Sequence, residues 1–349
     1  MATEHGLPPS GIVRDTLLLY SLKGALDYLV EDLRSDARAH VEVLRRWPDA
    51  LLVAYDGELA ALADNRYFSA CAVWTGERTS GSSISSLPDW PVLQKSRQHG
   101  LLSLVQQDGA GFRVGPLGDE RWAARDAVVE RWGWDNAPKS WVVNFDDFDG
   151  YVVAQFGPLF QTSRFGELER VPASTTPVIA GVLTRLAKAG PEHRLLDPFC
   201  GAGTNLVVAA EVSAAKVVGT DLNLGAVQKA RRNCVSRGVP ATLSQADAAR
   251  LPFPDSAFDR VIANLPFGKR VGSHQENATL YPRFLRELDR VMTGPGRAIL
   301  LTEDKRLLEE SIQRTRGLRI IKRIVLESGG AHPTAYVAVR ARGQQRRRN

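Results

Sequence analysis

Cysteine is scarce in this chain of 349 residues, which holds three: Cys71, Cys200 and Cys234. Their separations match neither a disulfide framework nor a metal-binding cluster. That argues against a stapled secreted scaffold, and predicts reduced thiols, no bound metal and a cytoplasmic location. No apolar run approaches the roughly eighteen residues that a membrane helix needs. The N-terminal stretch lacks a cationic start followed by an apolar core and a small-residue cleavage site, so secretion and membrane insertion are not expected. A large surplus of one charge is also missing: 45 Lys and Arg against 39 Asp and Glu leave a net +6. That excess suits an anionic partner but is diluted over the whole chain. Four arginines fall within the last eight residues, 342–349, which read as a solvated basic tail. What remains, 44% apolar and 24% charged residues, is ordinary globular composition, and the length admits two or three domains.

The second half alternates regularly between short apolar strands and amphipathic helices. Strands are expected at 194–196, 216–220, 241–244, 260–263 and 297–301. Helices are expected at 205–212, 224–237, 280–292 and 305–313, and a strand pair at 319–326 and 334–339 closes the series. This is a βαβ succession with a mostly parallel sheet. Ser174-Thr175-Thr176 before Pro177 is a plausible helix entry, leading into a helix at 178–189. The front half is less regular. It offers strands at 15–20, 50–55, 111–114, 141–145 and 151–156, with helices at 22–34, 58–63 and 119–131. Residues 37–47 read as a continued or second helix, Asp56-Gly57 as a turn, and 87–107 is ambiguous. The front therefore reads as a small α+β region without a catalytic cluster.

Two stretches carry the chemistry. Asp197-Pro198-Phe199-Cys200-Gly201-Ala202-Gly203-Thr204 follows the apolar pair Leu195-Leu196, and reads as a strand ending in a glycine turn that opens a helix. Such a turn brings backbone close to a ligand and leaves free N–H groups at the helix start. The third glycine of a dinucleotide fingerprint is replaced by Leu206, and no Gly-Lys-Ser/Thr phosphate loop is present. Asp197, Phe199, Gly201, Gly203 and Thr204 better suit the amino-acid end of a cofactor than a pyrophosphate. Asp221, at the next strand end, can accept from two ribose hydroxyls. Asp247, with Ala248, follows the third strand, where an adenine would lie. Cys200 reads as a small lining residue, not a nucleophile. Asn264-Leu265-Pro266-Phe267-Gly268 ends the fourth strand and shares the crevice at the carboxyl ends of the strands.

Asn264-Leu265-Pro266-Phe267 resembles the Asn/Asp-Pro-Pro-Tyr/Phe motif of amino-group methyltransferases. With the upstream glycine motif, and with 264–273, Leu280-Tyr281-Pro282, 285–288 and 300–304, residues 165–340 resemble the THUMP-domain guanosine-N2 tRNA methyltransferases. Residues 20–25 and 31–34 resemble the start of that family's ferredoxin-like domain. The resemblance implies a Rossmann-like class I methyltransferase domain using S-adenosylmethionine, with tRNA as partner. It assigns amine binding to Asn264 and to the Leu265 carbonyl, loop stiffening to Pro266, and base stacking to Phe267. Asn264 also borders the cofactor. Lys269 and Arg270 would contact substrate phosphates. The implied layout is a ferredoxin-like domain at 1–75, a shortened THUMP-like region at 76–165, a linking helix at 166–190, the methyltransferase domain at 191–342 and the tail at 343–349. Trp122, Trp132, Trp134 and Trp141 interleave with arginines in the front half and serve equally as an RNA surface or as core. The alternative substrate is a small-molecule amine. Eukaryotic relatives need a small activator protein, and the sequence leaves open whether this chain does.

Overall fold

The computed structural model describes residues 11–80, 83–105, 109–266, 274–327 and 330–341. The chain divides into two compact units, Met1–Glu167 and Leu168–Asn349. In the first, β1 (Ile12–Tyr20), α1 (Leu26–Ser35), β2 (Ala39–Arg46), β3 (Ala50–Glu58), α2 (Leu59–Asp64) and β4 (Ala70–Arg78) come in succession. Their strands lie in the order β2-β3-β1-β4, each neighbouring pair antiparallel, which is the ferredoxin-like arrangement.

Three local expectations need correction here. Residues 37–47 form no helix: β2 carries Ala39, Val41 and Val43 half-buried on one side, with His40 and Glu42 exposed on the other. That period of two is the strand signature, and the β-branched valines favour it. Asp56 and Gly57 make no turn but lie inside β3, paired with His40 and Ala39. A Cβ on Gly57 would meet the Ala39 Cα at 2.5 Å, so glycine is what lets β2 close on β3. Finally, β4 was not anticipated, although Cys71, Ala72 and Val73 are fully buried.

The unit continues through α3 (Pro91–His99), β5 (Gly111–Val114), α4 (Arg121–Trp132), β6 (Asp135–Asn136), β7 (Val143–Phe148), β8 (Tyr151–Phe156) and α5 (Gln161–Phe165). The stretch read as ambiguous holds two 3-10 turns, Ile84–Asp89 and Leu101–Leu104, around α3. Because β8 pairs with β4, one eight-stranded sheet runs on as β4-β8-β7-β5-β6. The expected domain division at 75/76 thus falls inside β4. Trp132 and Trp134 are core residues in edge-to-face contact at 4.8 Å, whereas Trp122 is exposed beneath the guanidinium groups of Arg121 and Arg125.

The second unit comprises α6 (Pro177–Ala187), β9 (Arg194–Asp197), α7 (Thr204–Ser213), β10 (Lys216–Asp221), α8 (Leu224–Ser236) and β11 (Ala241–Gln245). There follow β12 (Phe258–Asn264), α9 (His274–Val291), β13 (Met292–Thr302), α10 (Lys305–Thr315), β14 (Leu318–Val325) and β15 (Thr334–Arg340). The sheet order is β11-β10-β9-β12-β13-β15-β14, parallel as far as β13, with β15 antiparallel to both neighbours. Leu195, Leu196, Val261, Ile262, Ile299 and Leu300 are wholly buried in its middle strands. The expected linking helix is α6; most of it is buried and it packs within this unit. The strand order reverses between β9 and β12, and such a switch point opens a crevice at the carboxyl ends of the strands. No described helix is long and apolar enough to cross a membrane.

In the first unit a buried arginine ties α5 to the connection between α2 and β4. Arg164 donates to the carbonyls of Leu159 (2.9 Å), Leu62 (3.3 Å), Phe68 (2.5 Å) and Asn65, and lies 3.8 Å from the centre of the Phe68 ring. Its burial disfavours the charged form and lowers its pKa to about 9. Arg164→Ala strips four carbonyls of a shared donor and should cost roughly 3–5 kcal/mol, since each buried acceptor left without its donor costs about 1–3 kcal/mol. Urea unfolding should show that loss. Arg164→Lys should recover only part of it, because an ammonium has three donors where guanidinium has five.

Candidate active site

The site begins where β9 runs out. Gly201 (φ +51°) and Gly203 (φ +83°) both adopt left-handed backbone, so the chain reverses sharply into α7. A Cβ on Gly203 would sit 3.0 Å from the Ala230 Cβ and 3.2 Å from its Cα, so α7 and α8 approach through this residue. Asp197 braces the turn from behind. One carboxylate oxygen accepts the Phe199 N–H (3.0 Å) and the other accepts Asn205 Nδ2 (2.9 Å). It is fully buried, and burial pushes its pKa up to about 7, with the negative charge of Asp221 adding to the effect.

The turn borders a cavity of about 590 Å³ at the carboxyl ends of β9, β10 and β12. Among the expected residues, Phe199, Gly201, Thr204, Asp221, Asn264, Leu265 and Pro266 line it. Asp197 and Gly203 support the wall from outside it. Asp247 and Ala248 also stand outside: Asp247 accepts the Ala249 N–H at 2.8 Å and lies 3.7 Å from Arg283, while Ala248 is packed in the core. Phe267, Lys269 and Arg270 lie outside the described residues, as does the basic tail. Cys200 is in the wall, with burial holding its thiol well above its ordinary pKa, which suits a lining role and not a nucleophile.

Asp221 accepts the Gly201 N–H through Oδ2 and the Asn223 N–H through Oδ1, both at 2.9 Å. Each oxygen keeps a further acceptor site. Asn223 in turn caps α8, its Oδ1 accepting from Gly225 (2.8 Å) and Ala226 (3.2 Å). Asn205, which motif reading passed over, is 4% exposed and lies in the wall. With Nδ2 bound to Asp197, its Oδ1 has no partner among the described residues.

The opposite wall is built around Asn264, the last residue of β12. Its Nδ2 donates to the Ala173 carbonyl (3.2 Å) and to Thr175 Oγ1 (3.1 Å), and its Oδ1 has no partner among the described residues. The acceptor end of the amide is thus the end without a protein partner among the described residues. Ala173 has left-handed backbone (φ +62°) in a turn closed by Ser174, whose Oγ accepts the Val171 N–H and donates to the Val171 carbonyl, both at 2.8 Å. As expected, the entry to α6 follows, capped by Thr176. The Leu265 N–H donates to the Leu301 carbonyl on β13 (2.9 Å). The Pro266 carbonyl accepts from Asn277 Nδ2 and from the Tyr281 hydroxyl, each at 2.8 Å, and that hydroxyl also meets Thr302 Oγ1 at 2.9 Å. Val171, Ala173, Thr175, Glu276 and Asn277 complete the wall without having been anticipated. They come from a loop before α6 and from the first turn of α9, outside either motif.

These groups fit a cofactor with a ribose and an amino-acid end: Asp221 offers acceptors for hydroxyls, and Asn205 has an unpartnered Oδ1 of the acceptor type that an ammonium needs. Asp197 gives a test that needs no ligand. Its pKa is raised from 3.8 to about 7 on folding, so its contribution is fully present below about pH 4 and is lost as pH rises toward 7. The slope is about 1.4 kcal/mol for each pH unit between those values. Asp197→Asn should therefore flatten the fall of Tm between pH 4 and 7, while losing at every pH one of the two bonds that the carboxylate accepts. Thermal unfolding across that range checks it, and an unchanged slope would remove Asp197 as its source.

Residues 168–333 match the family model described as RMKL-like, methyltransferase domain. The tRNA (guanine(6)-N(2))-methyltransferase THUMP3 of Bos taurus is 32% identical over 185 residues, covering 48% of this chain and 37% of that protein. The tRNA (guanine(6)-N2)-methyltransferase of Thermus thermophilus is 37% identical over 169 residues, covering 47% of this chain and 49% of that one. The chain thus spans between a third and a half of the length of these curated relatives. In fold, TrmN from Thermus thermophilus superimposes with a TM-score of 0.69 at 24% identity, covering 93% of this chain and 99% of the other. SMU.472, a putative methyltransferase complexed with SAH, gives 0.69 at 15% identity over 95% and 100%. Residues 168–333 are thus similar to the RMKL-like methyltransferase domain, and the curated relatives that match in sequence there include guanine-N2 tRNA methyltransferases.

Proposed function

We propose that this protein transfers a methyl group from S-adenosylmethionine to the exocyclic 2-amino group of guanosine in tRNA. The observation that carries the reading is the fixed amide of Asn264, which offers the cavity an acceptor and no donor. When bound, S-adenosylmethionine supplies an electrophilic methyl group on a positively charged sulfur. Asn264 Oδ1 accepts one hydrogen of the substrate amine and the Leu265 carbonyl accepts the other, which turns the nitrogen lone pair toward the methyl group. The Pro266 carbonyl is already held by Asn277 and Tyr281, so it does not compete for the amine. Catalysis on this reading is positional. A neutral amide is no general base, so the proton leaves the nitrogen after transfer. Asp221 holds the ribose hydroxyls and Asn205 the ammonium of the cofactor.

Phe267 as a stacking face for the base, and Lys269 and Arg270 as phosphate contacts, remain parts of this proposal that rest on the motif. In the front unit, the exposed Trp122 with Arg121 and Arg125 offers an aromatic and cationic surface of the kind that holds RNA. The relatives named above as tRNA methyltransferases support the same substrate.

The test is transfer of labelled methyl into unmodified tRNA, followed by nucleoside analysis. Label in N2-methylguanosine is expected. Asn264→Ala should lower kcat by about 10²–10³-fold, the scale of losing a positioned polar contact at a reacting centre. Its affinity for S-adenosylmethionine, by calorimetry, should stay within about threefold of wild type, since Asp221 and Asn205 are untouched. Full activity in that variant would contradict the assignment. A protein that binds the cofactor yet never labels tRNA would shift the substrate to a small-molecule amine.

A further inference from the structure

The polar groups of the wall include one that neither the cofactor nor the amine contacts account for. Asn277, in the first turn of α9, is 1% exposed and lies in the wall of the same cavity. Its Nδ2 is engaged by the Pro266 carbonyl at 2.8 Å, which fixes the orientation of the amide. Its Oδ1 is buried and has no partner among the described residues. A buried acceptor without a donor costs about 1–3 kcal/mol, so its place beside a ligand cavity points to a donor that arrives with the ligand. The Pro266 contact puts it two residues along from Asn264, next to the groups that receive the amine.

We infer that Asn277 Oδ1 accepts the N1–H of the target guanine and selects that base over others bearing an amino group. This inference rests on the guanosine reading above. The two side-chain acceptors, Asn264 Oδ1 and Asn277 Oδ1, match an amine flanked by a second N–H donor. Guanine has that pattern, with N1–H beside its 2-amino group. Adenine and cytosine instead flank their amines with a bare ring nitrogen, and a carboxamide flanks its amine with a carbonyl. Each of these would set acceptor against acceptor at Asn277. A site built to receive a hydrogen bond discriminates strongly against a substrate that lacks the donor.

The probe is 2-aminopurine riboside, which keeps the 2-amino group but has no hydrogen on N1. A tRNA that the full-length protein methylates is rebuilt by ligation with guanosine or 2-aminopurine at the mapped position, and kcat/KM is measured for both. Wild type should favour guanosine by about ten- to a hundredfold, the effect of one buried donor–acceptor match. In Asn277→Leu, which has no acceptor, the preference should collapse to within about threefold. Asn277→Asp keeps the acceptor and loses the Pro266 contact, so its absolute rate should fall while the preference persists. Tyr281 still holds the Pro266 carbonyl in both variants.

Equal wild-type rates on the two tRNAs would overturn the inference without recourse to any variant. So would an Asn277→Leu protein that is slower on both substrates but keeps its preference, which is the signature of a purely structural asparagine. If wild type makes no N2-methylguanosine at all, the guanosine reading itself falls and this inference with it. That outcome differs from the others because there is then no rate to compare.

Discussion

What the cavity can do depends on which end of one side-chain amide faces it. Asn264 is held by a carbonyl and a hydroxyl, Ala173 O and Thr175 Oγ1, both on the chain just ahead of α6. Reversing the amide would set oxygen against the Ala173 carbonyl and leave an NH₂ group, in place of an oxygen, as the end without a partner. Losing one such bond and stranding a carbonyl is worth a few kcal/mol, enough to hold one orientation almost exclusively. The arrangement reaches back to a local backbone feature. Ala173 occupies left-handed backbone, uncommon for alanine, and the two contacts of Ser174 to Val171 close the turn that sets it there. A seven-stranded sheet supplies the position of Asn264, but a five-residue turn supplies its meaning.

The same division of labour recurs one and two residues along. The Leu265 N–H is taken by Leu301, which extends the β12–β13 pairing past the end of the strand. The Pro266 carbonyl is then gripped by two residues of α9, and Tyr281 is braced in turn by Thr302 at the end of β13. The backbone of Leu265 and Pro266 at the cavity wall is thus fixed from the sheet on one side and the helix on the other. The glycine turn across the cavity is braced similarly: the buried Asp197 carboxyl holds a backbone N–H and the Asn205 amide at once.

Much of this was legible in the sequence, for identifiable reasons. Both motifs are continuous, so Asp221 and Asn264 could be placed at strand ends by counting alternating apolar runs, and the structure puts both on one cavity. The wall at Val171–Thr175 was not legible, because contacts across about ninety residues leave no local pattern, and Asn277 lies only eleven residues from Pro266 but outside the motif. Asp197 was legible as a motif residue but not as a brace, since burial depends on what packs over a strand end. Asp247 follows a strand as expected, yet its carboxylate turns to the Ala249 N–H and stands clear of the cavity wall. In the front half, His40-Val41-Glu42-Val43 carried a strand alternation that the helical reading of 37–47 overlooked. β4 was missed because its buried core, Cys71-Ala72-Val73, is short and opens on small residues.

The cavity wall runs from Val171 to Leu280, entirely within the second unit. Every residue of that wall therefore belongs to one continuous stretch of chain, with its own sheet and its own core. A different front sheet could therefore precede this stretch while both described contacts of the Asn264 amide, to Ala173 and to Thr175, stay in place.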